Sequence, residues 1–144
     1  MLVCAAVTMA VALGAGVSAQ SKVTNAAEFQ MAMKAGATGF QGALKAAGSG
    51  AAADARTQLA AARQNYTAIL DVFASRKLAE GAGFAKDLLT NIEAADKALS
   101  AATPDTMAAT AALKTGSQSC GACHKMYREG DGKATPYSIK AGVF

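Results

Sequence analysis

An all-α fold, specifically an antiparallel up-down-up-down four-helix bundle, is predicted by three features of this sequence. The first is composition: 38 of the 144 residues are alanine, two are proline, none is tryptophan, and aromatic content is 6%. Alanine is the strongest helix former, and the β-branched and aromatic residues that strands prefer are scarce. The second is period, because apolar residues recur at spacings of three and four along four stretches of roughly 20 residues. The third is punctuation. Gly48-Ser49-Gly50, Gly81-Ala82-Gly83 and Thr103-Pro104 separate those stretches, and short connections make consecutive helices antiparallel neighbours. An apolar content of 52%, glycine without a period and three cysteines exclude disordered, collagen-like and disulfide-dense classes. The net charge of +4 is spread along the chain, with no dense basic stripe of the kind nucleic-acid binding requires.

Residues 1–19 carry no charged side chain, and Leu2 to Gly16 form one apolar run ending in Val17-Ser18-Ala19. This reads as a signal peptide with Gln20 as the mature start, and Cys4 lies inside it. The run is short for a membrane span, which needs about 20 residues, so an uncleaved anchor is the lesser alternative. Export to the periplasm is expected, with no stable membrane span after cleavage. A bundle domain over residues 20–129 and an exposed tail over 130–144 follow.

The first helix should open at Asn25, with Glu28 completing a capping box, and run to about Ala47. Its stripe is Phe29, Met33, Ala37, Phe40 and Leu44. The second should start near Ala52 and carry Leu59, Ala62, Tyr66, Ile69, Leu70 and Phe73. The third, beyond the Gly81-Ala82-Gly83 break, shows Phe84, Leu88, Ile92, Ala95 and Leu99. Thr103 is expected to cap the fourth, with Pro104 at its first position, where a missing N–H is harmless. It should reach Arg128 with Leu113, Ser117, Cys120, His124 and Tyr127 on its stripe.

The chemistry concentrates in Cys120-Gly121-Ala122-Cys123-His124, a c-type haem attachment sequence. On a helix these cysteines and the histidine share one face. Both thiols can then meet the two vinyl groups of one porphyrin while the His124 imidazole reaches the iron. Other readings of the same cluster are weaker. A structural zinc site needs four ligands where the cluster offers three. A thioredoxin-like pair belongs in a βαβ setting, and a disulfide between helical neighbours is geometrically poor.

With His124 the one histidine, the sixth iron position falls to methionine, lysine, a weak ligand or nothing. Met126 is two residues from His124 and cannot reach the opposite face of the ring. Met107 lies about 25 Å along the same helix at ~1.5 Å per residue. Met31 and Met33 point about 200° apart around the first helix, and Met33 shares the apolar stripe. Met33 is the candidate distal ligand, with ordinary core filling as its plainer role.

The haem sequence near the end of a four-helix chain, continuing Cys-Gly-Ala-Cys-His-Lys-Met-Tyr-Arg through Arg128, resembles the class II c-type cytochromes. These comprise cytochrome c prime and its low-spin, methionine-ligated relatives, and the resemblance covers about residues 25–129. It implies a distal position in the first helix, where low-spin members carry a methionine often followed by lysine. Met33-Lys34 matches, with Phe40 seven residues on. By the same analogy Arg128 pairs with a haem propionate, and the first two helices form a homodimer interface. Two departures are Phe29, where many members have a basic residue, and a shorter loop between the second and third helices.

The leading expectation is a non-enzymatic one-electron carrier with one covalently bound haem c, docking to redox partner proteins. The alternative is a five-coordinate protein that binds NO or CO at an open distal site. A peroxidase would want a distal acid–base group, and no second histidine is present.

Overall fold

A computed structural model describes residues 22–130 and 132–144. The predicted signal segment, with Cys4, lies outside the described residues. Four helices make up the bundle: α1 (Ala26–Gly48), α2 (Ala52–Ser75), α3 (Ala79–Leu99) and α4 (Thr106–Tyr127). Each packs against the next and α1 closes the ring against α4, with the α1–α4 seam the least extensive of these contacts. The expected up-down-up-down bundle is the observed one. Among the described residues no helix is long and apolar enough to cross a membrane.

The start of α1 follows the capping rule. Asn25 Oδ1 accepts the Glu28 N–H at 3.0 Å, and the Glu28 carboxylate accepts the Thr24 N–H at 2.7 Å. The Thr24 N–H, with the Thr24 hydroxyl at 2.8 Å, holds the Glu28 carboxyl below its usual pKa. At the far end Gly50 takes φ +82°, while its N–H and that of Ala51 return to Ala47 and Ala46. This is a Schellman ending, which satisfies carbonyls the helix leaves free.

The second helix ends in the same way without a glycine. Lys77 takes φ +59°, its N–H donates to the Ala74 carbonyl, and the Leu78 N–H donates to Phe73. The break therefore falls at Arg76–Leu78, not at the expected Gly81-Ala82-Gly83, which lies inside α3. Gly81 is needed there for closeness: a Cβ at that position would stand 2.5 Å from the Phe73 ring. The turn of α3 is also displaced by one residue from the expected face, since Ala85 is buried and Phe84 is half-exposed.

Asp105, not Thr103, caps α4, accepting the Ala108 N–H at 2.9 Å. Pro104 therefore stands before the cap rather than at the first helical position. The helix stops at Tyr127, and Arg128 begins an extended segment.

That segment corrects the expectation of an exposed tail. Strand β1 (Arg128–Glu129) pairs antiparallel with β2 (Ser138–Ile139), with Arg128 opposite Ile139 and Glu129 opposite Ser138. Gly130 and Gly132 turn the chain with φ +86° and +72°, a region that a side chain rarely enters. The Lys140 N–H then donates to the Tyr127 carbonyl at 2.9 Å. Val143 is only 3% exposed, and the Phe144 ring meets Phe29 edge-on at 5.5 Å. Apolar burial of Val143, Phe144 and Ile139 offsets the entropy of ordering this strap.

Candidate functional site

The α1–α4 seam is sparse because a cavity occupies it. Its volume is about 370 Å³, it is partly open to solvent, and Met33 from α1 and Cys120, Cys123 and His124 from α4 all line it. Small-molecule sites commonly occupy ~300–1,000 Å³ and combine apolar walls with a few polar groups. Here Phe29, Phe40, Tyr66 and Phe73 supply walls, while Gln30, Lys34, Arg128 and Ser138 stand among the polar lining.

Helical phase puts the α4 residues in this place. Leu113 and Gly116 are buried against the bundle, and Cys120, Cys123, His124 and Tyr127 continue that face as half-buried residues. Gly116 permits the approach of α3, since a Cβ there would lie 2.9 Å from Asn91 Cβ. Tyr127 serves as an anchor: its hydroxyl accepts the Gly81 N–H at 3.2 Å, and its ring lies 5.0 Å from that of Phe73.

Both cysteines are free thiols. Burial pushes Cys120 above its usual pKa, and burial together with the nearby Cys120 pushes Cys123 up to about 11. Burial and then the Arg128 charge lower the His124 pKa. At neutral pH the site thus holds two protonated thiols and a neutral imidazole with a lone pair free to coordinate. The phenol of Tyr66 is likewise raised, first by burial and then by Cys120.

Phase also separates the methionines. Among the four in the described residues, Met33 alone lines the cavity, and Met31 and Met107 are 62% and 83% exposed. The stripe around Met33 is shifted from expectation. The fully buried line of α1 runs Phe29, Ala32, Gly36, Phe40, Ala43, Ala47, whereas Met33 and Leu44 are half-buried and Ala37 is exposed. Met33 and Ala37 are less covered because they face the cavity rather than a neighbouring helix.

Phe29, where a basic residue was noted as missing, sits in the core, 5.7 Å edge-on from Phe73. Cations reach the rim from elsewhere. Lys34 and Arg128 both line it, and the Arg128 guanidinium stacks 3.9 Å over the Tyr137 ring.

The strap contributes residues that sequence reasoning missed. Tyr137, Ser138 and Ile139 form part of the cavity wall, and Gln30 Nε2 donates to the Tyr137 carbonyl at 3.5 Å. The available signal was the apolar content of Ile139, Val143 and Phe144 beyond two turn-forming glycines. Among the described residues no three His, Cys, Asp or Glu side chains converge as a group that could hold a metal ion.

Compared with known proteins, the chain matches no family model, no curated protein and no solved structure.

Proposed function

We propose that this protein is an exported, periplasmic c-type cytochrome of the class II kind that carries single electrons without catalysing a reaction. One observation carries the reading: a single cavity between α1 and α4 receives both thiols, the one imidazole and the Met33 thioether. The donor set fits haem c. Cys120 and Cys123 would be its attachment points, and His124 and Met33 would supply the ligands to its iron. Arg128, Lys34 and Gln30 at the rim suit its two carboxylates. When bound, haem supplies an Fe(III)/Fe(II) couple whose potential follows from axial ligation and burial.

The residues of this chain set the conditions for that couple. The thioether of Met33 and the imidazole of His124 approach from different helices, so the bundle itself holds the ligand pair. Phe29, Phe40 and Phe73 keep water from the inner wall. This sequence holds no second imidazole to shuttle protons at the distal side, which favours carriage over peroxide chemistry.

The test is expression in a host that attaches haem covalently, followed by mass measurement and optical spectra with and without CO. A mass increase lost in Cys120→Ser/Cys123→Ser, and a sharp low-spin reduced spectrum indifferent to CO, are the expected results. Met33→Ala should convert that spectrum to a high-spin, CO-responsive one. Immediate CO binding by the unaltered protein would replace the carrier reading with NO or CO binding at an open distal site. Absence of covalent haem would overturn both.

A further inference from the structure

The strap forms part of the exposed rim of the cavity. Tyr137 lines the cavity yet is 48% exposed, so its ring runs from the inner wall to solvent. The Arg128 guanidinium lies 3.9 Å above it. Two further cations stand close by in the chain: Lys125 is three residues before Arg128, and Lys140 follows Ile139, the partner of Arg128 across β1 and β2; Lys140 Nζ donates to the Lys125 carbonyl at 3.4 Å and both side chains are exposed. Lys34 completes the group from α1.

The acidic residues are placed differently. The described ion pairs, Arg56–Asp96 at 2.8 Å and Arg63–Glu93 at 3.9 Å, lie between α2 and α3. On the strap, Glu129 accepts the Ser138 hydroxyl at 3.1 Å, and no described ion pair engages Arg128, Lys125, Lys140 or Lys34. An exposed Tyr–Arg stack with further cations near it in the chain has the chemistry of an interface hot spot, and its field attracts acidic surfaces.

We propose that this strap edge, centred on Tyr137 and Arg128 and flanked by Lys34, Lys125 and Lys140, is the docking surface for an acidic protein partner. The proposal rests on the carrier reading: one electron passes between the partner's redox centre and the haem iron, one being oxidised and the other reduced, and no atom moves. A partner seated here would touch Tyr137, whose side chain also lines the cavity.

Two double variants with the same net charge change decide it. Lys125→Glu/Lys140→Glu alters the edge, and Lys45→Glu/Lys86→Glu alters exposed positions on α1 and α3 as the control. Stopped-flow oxidation of the reduced protein is measured with hexacyanoferrate(III), an anion, and tris(phenanthroline)cobalt(III), a cation. The ratio of the two rates cancels any change in driving force. At low salt the edge variant should lower that ratio about fivefold or more and the control less than about twofold, the difference closing as salt rises. Equal effects of the two variants would overturn the docking edge while leaving the carrier reading intact.

Binding of polyglutamate, followed in the same variants, provides a readout that needs no haem. It should weaken for the edge variant alone, and if mass measurement shows no covalent haem, it judges the surface by itself. Retention on phosphatidylglycerol vesicles without polyglutamate binding would assign the patch to a membrane and overturn the proposal.

Discussion

At Gly81 one methyl group decides how closely α2 and α3 meet. A Cβ there would press on the Phe73 ring at 2.5 Å, and Phe73 is held by Phe29 and Tyr127. Gly81→Ala should therefore cost about 1–3 kcal/mol despite alanine's better helix propensity, read as a lower urea midpoint. Cys123 makes a second residue-scale prediction. Its folded pKa of about 11 lies above the usual thiol value of ~8.5. Its contribution to stability is fully present below the unfolded value and is lost as pH rises through the folded one. In the haem-free chain, the stability advantage over Cys123→Ala should shrink between those limits; a constant difference would contradict the burial of that thiol. At this scale much of the site was legible. Covalent spacing put Cys120, Cys123 and His124 on one face, and helical phase chose Met33 over Met31. Tyr137 and Ile139 were not legible, because they reach the cavity only through a fold-back that leaves no local period.

Elements were legible where their ends obey local chemistry. Asn25 and Glu28 announce α1, and Gly50 ends it in the left-handed conformation that glycine adopts freely. Lys77 adopts the same conformation at the end of α2 with no such announcement. Two glycines inside α3 then drew the predicted break five residues too late. The strap was missed for a related reason: its strands are two residues each, and its stability comes from distant packing. Phe144 on Phe29, with the Arg76 guanidinium 4.5 Å over the Phe144 ring, is its outer clamp. Phe144→Ala should loosen the strap without melting the bundle. In the haem-free chain, labelling of Cys120 and Cys123 by a thiol reagent should then accelerate by about tenfold, local opening being cheaper than global unfolding. Unchanged labelling, with helical circular dichroism retained, would mean that the strap does not guard the cavity.

The whole molecule combines a thin core with a hole. Among the described residues, nine of the 21 buried apolar side chains are alanines, which let helices approach closely but contribute little area each. The seam between α1 and α4 is held apart by the cavity, and aromatic faces of Phe29, Phe40, Tyr66 and Phe73 line it. Where those rings border the cavity, a group seated there would add dispersion contacts to the ones they already make. A flat apolar group filling that space should add about 2–4 kcal/mol at roughly 25 cal/mol per Å² of apolar surface covered. Covalent attachment makes the gain independent of concentration, unlike a dissociable ligand. Haem-loaded protein should thus show a higher urea midpoint than haem-free chain, while Cys120→Ser/Cys123→Ser protein purified without haem should match the latter. The helices should persist without haem, because the α1–α2 and α3–α4 contacts do not pass through the cavity. Equal midpoints for loaded and haem-free protein would mean that the attached group does not occupy the α1–α4 seam, and Met33 could not then be its ligand.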